Sequence, residues 1–335
     1  NPGSSCQTNM SGSATVFINP LPAAYTVTGG GNYCAGGSGV RVYLSSSAIG
    51  INYQLYRNGT TMVGSPVAGT SAMLDFGLQT VAGVYTVVAT NATTGCINNM
   101  ASSVTIGINP LPQSFNVTGG GSFCSGGAGM PVGLSGSETG VNYQLYYAGV
   151  AVSGAVVAGT GSAITFGSRT ASGLYTVVAT NATTGCSITM TGSVNIVVNA
   201  LPIVYTVTGG GNYCLGGSGV PVGLFTSTTG VNYQLYRGTT AVGAVVPGTG
   251  GSITFGAQTV AGAYTVVATN ATTGCTNNML GSVSVGINPL PGLFVVTGGG
   301  NYCTGGTGVN VGLSGSASGI TYQLMNGPAT VGTPV

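Results

Sequence analysis

Gly83-Val84-Tyr85-Thr86-Val87-Val88-Ala89 is a short run rich in β-branched and aromatic residues, preceded by glycine. That composition predicts a strand entered from a turn, with alternation turning Tyr85 inward. The block returns as Gly173-Leu174-Tyr175-Thr176-Val177 and again as Gly262-Ala263-Tyr264-Thr265-Val266. The surrounding sequence returns with it. Leu21-Pro22 recurs at Leu111-Pro112, Leu201-Pro202 and Leu290-Pro291, spacings of 90, 90 and 89. A unit of about ninety residues copied head to tail predicts an array of small domains rather than one large globule.

Three whole repeats follow from these marks: 23–112, 113–202 and 203–291. Residues 1–22 match the tail of a repeat, with Asn1 aligned on Asn91 and Cys6 on Cys96. They are expected to carry the C-terminal strand of a preceding copy. Residues 292–335 match only the first half of a further one. Ends of this kind are expected of a segment of a longer chain.

Within the first whole repeat, Tyr25-Thr-Val-Thr28 predicts a strand running into a flexible loop at Gly29-Gly30-Gly31. Val40–Leu44 alternates. So does Ile51–Tyr56, with Ile51, Tyr53 and Leu55 expected inward and Asn52 and Gln54 outward. Asn58-Gly59 supplies a tight turn. Met73–Phe76, Val84–Ala89 and Val104–Ile108 complete the set, and no segment shows helical spacing with caps. Six or seven short strands separated by regular turns describe an antiparallel β-sandwich.

The Gly83/Tyr85/Val87 block resembles the Gly-x-Tyr-x-Cys stretch at the strand F corner of immunoglobulin-type domains, with Val87 in the place of the core cysteine. Tyr85, Tyr175 and Tyr264 would then fold their hydroxyls back onto nearby backbone, beside Gly83, Gly173 and Gly262. Tyr53-Gln54-Leu55-Tyr56 is similar to strand C, with Leu55 in the place of tryptophan. The expected fold class is all-β, a tandem array of immunoglobulin-like antiparallel β-sandwich domains.

Taken whole, the chain resembles the tandem immunoglobulin-like repeats of very large secreted surface proteins of the Bacteroidota, of adhesin and gliding-associated type. The residues that carry this are Cys34-Ala35-Gly36-Gly37, the Gly-x-Tyr-Thr-Val block, Thr94-Gly95-Cys96 and the joint Ile108-Asn109-Pro110-Leu111-Pro112. No one of these motifs is specific; their fixed order in each copy is. The resemblance implies an extracellular, cell-surface location and a structural or adhesive role, and it carries over no catalytic residue.

Composition narrows the function classes. Charged residues make up 2% of the chain: four arginines, Asp75 and Glu138, with no lysine or histidine. Ordinary soluble domains carry roughly a quarter. A net charge of +2 over 335 residues makes neither a phosphate-tracking stripe nor a polybasic membrane patch. No apolar run reaches the ~18–20 residues of a membrane span. General acid–base catalysis needs histidine, paired carboxylates or lysine, and here Asp75 and Glu138 stand at different offsets in different copies. The expectation is a non-enzyme with no cofactor and no metal. Near-zero charge promotes association, and mean hydropathy is +0.45, so neighbouring copies of the same protein are the expected partners.

The eight cysteines form two series, Cys34/124/214/303 and Cys6/96/186/275. Regular even spacing reads as disulfides; the pairs are too far apart, and too poor in other ligands, for a zinc site. Two connectivities within the chain compete, and bonds between separate chains are a third. Bonds within a repeat would be Cys34–Cys96, Cys124–Cys186 and Cys214–Cys275. Bonds across the joint would be Cys6–Cys34, Cys96–Cys124, Cys186–Cys214 and Cys275–Cys303. Chain entropy scarcely separates them, at about 4.3 against about 3.6 kcal/mol. The within-repeat scheme is preferred because one repeat should be a self-sufficient folding unit, although its two cysteines fall near opposite ends of a sandwich.

Three further features have a plain structural reading and a functional one. Gly29-Gly30-Gly31 lacks the helix and lysine of a phosphate loop and reads as a loop or bulge between strands. Asn-x-Ser/Thr sequons at Asn9, Asn58, Asn91, Asn116, Asn181 and Asn270 are glycosylation candidates, above all Asn58, Asn91, Asn181 and Asn270; turn chemistry is the other reading. Tyr33 and Tyr56 are the candidates for stacking on sugar rings, which would make the array a multivalent binder of surface glycans. The leading expectation is a stalk or filament on a bacterial surface.

Overall fold

Alternating runs become strands here, and the glycines between them decide which sheet each strand joins. The computed structural model describes residues 3, 5 and 7–335. In the first repeat the strands are β1 (Val27–Gly29), β2 (Gly31–Cys34), β3 (Val40–Leu44), β4 (Ile51–Arg57), β5 (Thr61–Ala68), β6 (Leu74–Gln79), β7 (Gly83–Asn91), β8 (Ile97–Asn99) and β9 (Val104–Asn109). One sheet has the order β1-β3-β6; the other runs β2-β9-β7-β4-β5, with β8 added on β7. Neighbours are antiparallel except β2 and β9, which pair in parallel. This is an immunoglobulin-like sandwich. The same nine strands and the same two sheet orders recur over 117–199 and 207–288, so the chain is a tandem array of such sandwiches.

Three strands of each repeat escape the alternation pattern. β5 is broken by Gly64 and Pro66 and is exposed along most of its length, so no face of it reads as core. β8 is only three residues long. β2 lies where a flexible loop is expected. Gly30, at φ +72°, carries the chain from β1 in one sheet to β2 in the other, and a Cβ there would stand 2.8 Å from Cβ of Val104. The glycine run is thus a strand switch that demands close backbone approach.

Val42, Leu44, Tyr53, Leu55, Tyr85, Val87, Ala89 and Ile106 fill the space between the sheets. The third repeat packs Val222, Leu224, Tyr233, Leu235, Tyr264, Val266, Ala268 and Val285 in the same way. Full burial of each large aliphatic contributes roughly 1.5–3 kcal/mol. Gln54 departs from the alternation reading: it is buried. The register between β4 and β5 shifts after Tyr53, and the Gln54 Nε2 donates to the carbonyls of Leu55 and Val63 at 2.8 and 3.1 Å. Gln144 and Gln234 do the same in their repeats. A bulge frees ladder carbonyls, and the side-chain amide satisfies them.

The described residues of 1–22 form no strand. Residues 292–335 hold two short ladders, Val296–Gly298 with Val311–Leu313 and Leu324–Asn326 with Ala329–Val331. Spatially the chain groups into two units, residues 1–121 with 128–197, and residues 122–127 with 198–335.

Candidate functional site

Each whole repeat places its two cysteines at opposite ends. In the first, Cys34 ends β2 opposite Asn109 of the parallel strand β9, and the Ala35 N–H donates to the Asn109 carbonyl at 2.9 Å. Cys34 therefore sits at the trailing end, where Pro110 leads on to the next repeat. Cys96 closes the turn from β7 to β8. There Asn98 Nδ2 donates to the Pro22 carbonyl at 2.7 Å, and Ala101 N–H donates to the Tyr25 carbonyl at 2.8 Å. That is the leading end, where the chain comes in.

The disulfides follow from this placement. Cys34 is bonded to Cys186, 152 residues on, with Cα atoms 5.5 Å apart. Cys124 is bonded to Cys275, 151 residues on, at 5.6 Å. This corrects both expected schemes. Cys34–Cys96, Cys124–Cys186 and Cys214–Cys275 would each have to span the length of a sandwich. Cys96–Cys124, Cys186–Cys214 and Cys275–Cys303 each call on a cysteine, Cys124, Cys186 or Cys275, that is already bonded elsewhere. Cys6–Cys34 is excluded by the Cys34–Cys186 bond, while Cys6 itself lies outside the described residues. The observed bond joins a trailing end to the next leading end, which the joint brings together without any reversal of the chain. Closing a loop of this length is worth about 5 kcal/mol in the chain-entropy account. Cys96, Cys214 and Cys303 are not in disulfides.

The turn that presents the second cysteine is built the same way each time. Asn91 Oδ1 accepts from the N–H groups of Thr93 and Thr94 at 2.9 and 3.0 Å. Asn181 and Asn270 repeat the motif at 3.0 Å. Asn58, with φ 51°, accepts from the Val84 N–H at 3.0 Å. Asn91, Asn181 and Asn270 thus shape their own turns through their side-chain oxygens, whereas the Asn58 oxygen reaches across to β7.

The corner tyrosines bend back as their sequence block implies. Tyr85 donates to the Val81 carbonyl at 2.7 Å, Tyr175 to Ala171 at 3.1 Å and Tyr264 to Val260 at 2.7 Å. Gly83, Gly173 and Gly262 have φ of +155°, +147° and +149°, and a Cβ on Gly83 would meet the Arg57 side chain at 2.8 Å. Val87 and Leu55 are buried. Burial pushes the phenols of Tyr53, Tyr85, Tyr143 and Tyr175 above their ordinary value.

Of the scarce charges, Arg169 donates from one terminal nitrogen to the Phe166 carbonyl while its buried Nε has no partner. Arg41 pairs with Asp75 on an exposed face, an arrangement worth at most about 1 kcal/mol. Glu138 accepts from the Gln113 N–H at 3.0 Å. Among the described residues no three His, Cys, Asp or Glu side chains cluster. Tyr33 and Tyr56 are half-buried, and the Tyr33 hydroxyl donates to the Thr80 carbonyl.

No protein-family model matches the chain. No curated protein matches it either. Among solved structures it is similar to the FN1–FN3 domains of chicken CNTN1, at 12% identity over 79% of this chain and 96% of that one, with a TM-score of 0.25. Sidekick-1 immunoglobulin domains 1–4 match at 13% identity over 83% and 75%, TM-score 0.22. Fibronectin(III)-like modules of Clostridium thermocellum CbhA match at 13% over 52% and 95%, TM-score 0.31. Such low scores carry no functional argument. The strand order and register themselves define an all-β, immunoglobulin-like tandem array.

Proposed function

We propose that this chain is a stretch of a secreted bacterial surface protein of the Bacteroidota adhesin type, serving as a non-catalytic stalk or filament. The observation that carries this reading is the Cys34–Cys186 bond, which ties the trailing end of one sandwich to the leading end of the next. Such a bond acts on mechanical continuity and not on chemistry. Disulfides of this kind persist outside the cell, in keeping with an extracellular site. The surface supports self-association: Ile49, Phe225, Val150 and Met62 are exposed, with only six charged residues to keep the chain apart. The partners are neighbouring copies of the same protein, packed side by side or end to end.

Electron microscopy of the native protein, labelled with an antibody to the repeat, tests this. Stalks or filaments on the cell surface are the expected result; separate, unassociated chains overturn it. Selective Tyr56-dependent capture of surface glycans on an array would instead make the repeats multivalent binding modules.

A further inference from the structure

Cys96 and Cys214 are left without partners by the same rule that pairs their counterparts. Cys96 belongs to the series of Cys186 and Cys275, and its surroundings are theirs. Its N–H donates to Thr94 Oγ1 at 3.4 Å, as Cys186 and Cys275 donate to Thr184 and Thr273 at 3.4 Å. Its carbonyl accepts from the Asn91 N–H at 2.9 Å, against 2.8 Å in both other copies. Cys214 matches Cys34 and Cys124 as closely. Gly211–Cys214 pairs in parallel with Val283–Asn288, and the Leu215 N–H donates to the Asn288 carbonyl at 2.9 Å, as Ala35 does to Asn109. What differs is cover. Cys186 and Cys275 are 0% exposed, whereas Cys96 is half-exposed and Cys214 exposed.

We infer that Cys96 and Cys214 are complementary halves of one repeated inter-domain bond, each completed by a cysteine of the opposite series on a further repeat of this kind. Cys96 takes the cysteine that opens a Cys-x-Gly-Gly segment; Cys214 takes the one that closes a Thr-Gly-Cys turn. Two bonded examples on identical backbone frames set the geometry. The inference shares with the proposed function only the premise that other repeats are neighbours. The chemistry balances with a disulfide oxidant, small-molecule or protein. The attacking thiolate displaces one of its sulfurs, and the second repeat thiol then displaces the other. One S–S bond forms and one is reduced to two thiols, which carry away the two protons and two electrons.

The test is peptide mass spectrometry of the native protein, isolated without reductant and alkylated with iodoacetamide before digestion. The expected result is loss of alkylation at Cys96 and Cys214, each peptide appearing cross-linked to one carrying the opposite motif. Alkylated Cys96 or Cys214, a glutathione adduct at either, or a link within one series overturns the inference. Gel migration before and after reduction separates the two sources of the further repeat. A fall in apparent mass points to a second copy, and an unchanged mass to the same polypeptide. Filaments seen without these cross-links would sink this inference alone, and cross-links without filaments would sink only the proposed assembly.

Discussion

Leu55 and Leu324 occupy the same place in the repeat, in Tyr53-Gln54-Leu55 and Tyr322-Gln323-Leu324, yet Leu55 is 1% exposed and Leu324 44%. Val42 and Val311 differ likewise, at 0% and 46%. The local devices are intact in both regions. Tyr322 accepts from the Ala317 N–H at 2.9 Å, as Tyr53 does from Ala48. Gln323 donates to the Leu324 and Val331 carbonyls at 2.9 and 3.0 Å, just as Gln54 bridges its own bulge. What 292–335 lacks is counterparts of β6, β7 and β9 to close over its apolar face. Hairpin chemistry is thus written within a few residues, whereas the core depends on strands far along the chain.

That contrast can be broken in several ways. The largest effect is expected at the cysteines. Cys34→Ser should lower the stability of residues 23–202 by up to about 5 kcal/mol, while Cys303→Ser stays within ~0.5 kcal/mol; urea unfolding followed by tyrosine fluorescence measures both. Equal effects would mean that the bond carries no load in the folded array. Next, Leu55→Ala should cost about 3 kcal/mol through lost burial and a cavity, against ~0.5 kcal/mol or less for Leu324→Ala in the same assay.

A smaller loss, about 1 kcal/mol, is expected for Tyr85→Phe, which removes the corner hydrogen bond and leaves the Val81 carbonyl unpaired. Calorimetry on that variant showing no change would demote the corner to a packing contact. The last effect appears only in alkali. Burial raises the folded-state values of Tyr53, Tyr85, Tyr143 and Tyr175 above the phenol value of 10.0. The unfolded chain therefore ionises first. Stability should be flat below about pH 10 and fall as pH rises beyond it through the raised values. Chemical denaturation at pH 8 to 11 checks the sign.

The sandwich was legible in the sequence because Tyr53, Leu55, Tyr85 and Val87 alternate on strands that lie in the middle of a sheet. β2, β5 and β8 were not, since a three-glycine opening, an exposed Gly/Pro-broken edge and a three-residue strand leave no period to read. Gln54 misled for a related reason: strict alternation assumes an unbroken ladder, and the bulge against β5 folds cover over an outward position. The cysteines are the instructive case. Sequence reasoning placed Cys34 and Cys96 at opposite ends of one domain, which the structure shows, and then sought a partner too near in the chain. Carrying that same geometry one repeat further would have reached Cys186.

The two bonded loops overlap. Cys34–Cys186 closes residues 34 to 186 and Cys124–Cys275 closes 124 to 275, so every peptide bond from 34 to 275 lies inside at least one ring. A single proteolytic nick anywhere in that span, a Pro-rich joint included, leaves both fragments tethered. Severing the strand takes three cuts, one in each of 34–124, 124–186 and 186–275, or one nick plus a reductant, and this redundancy comes from staggering the staples by one domain.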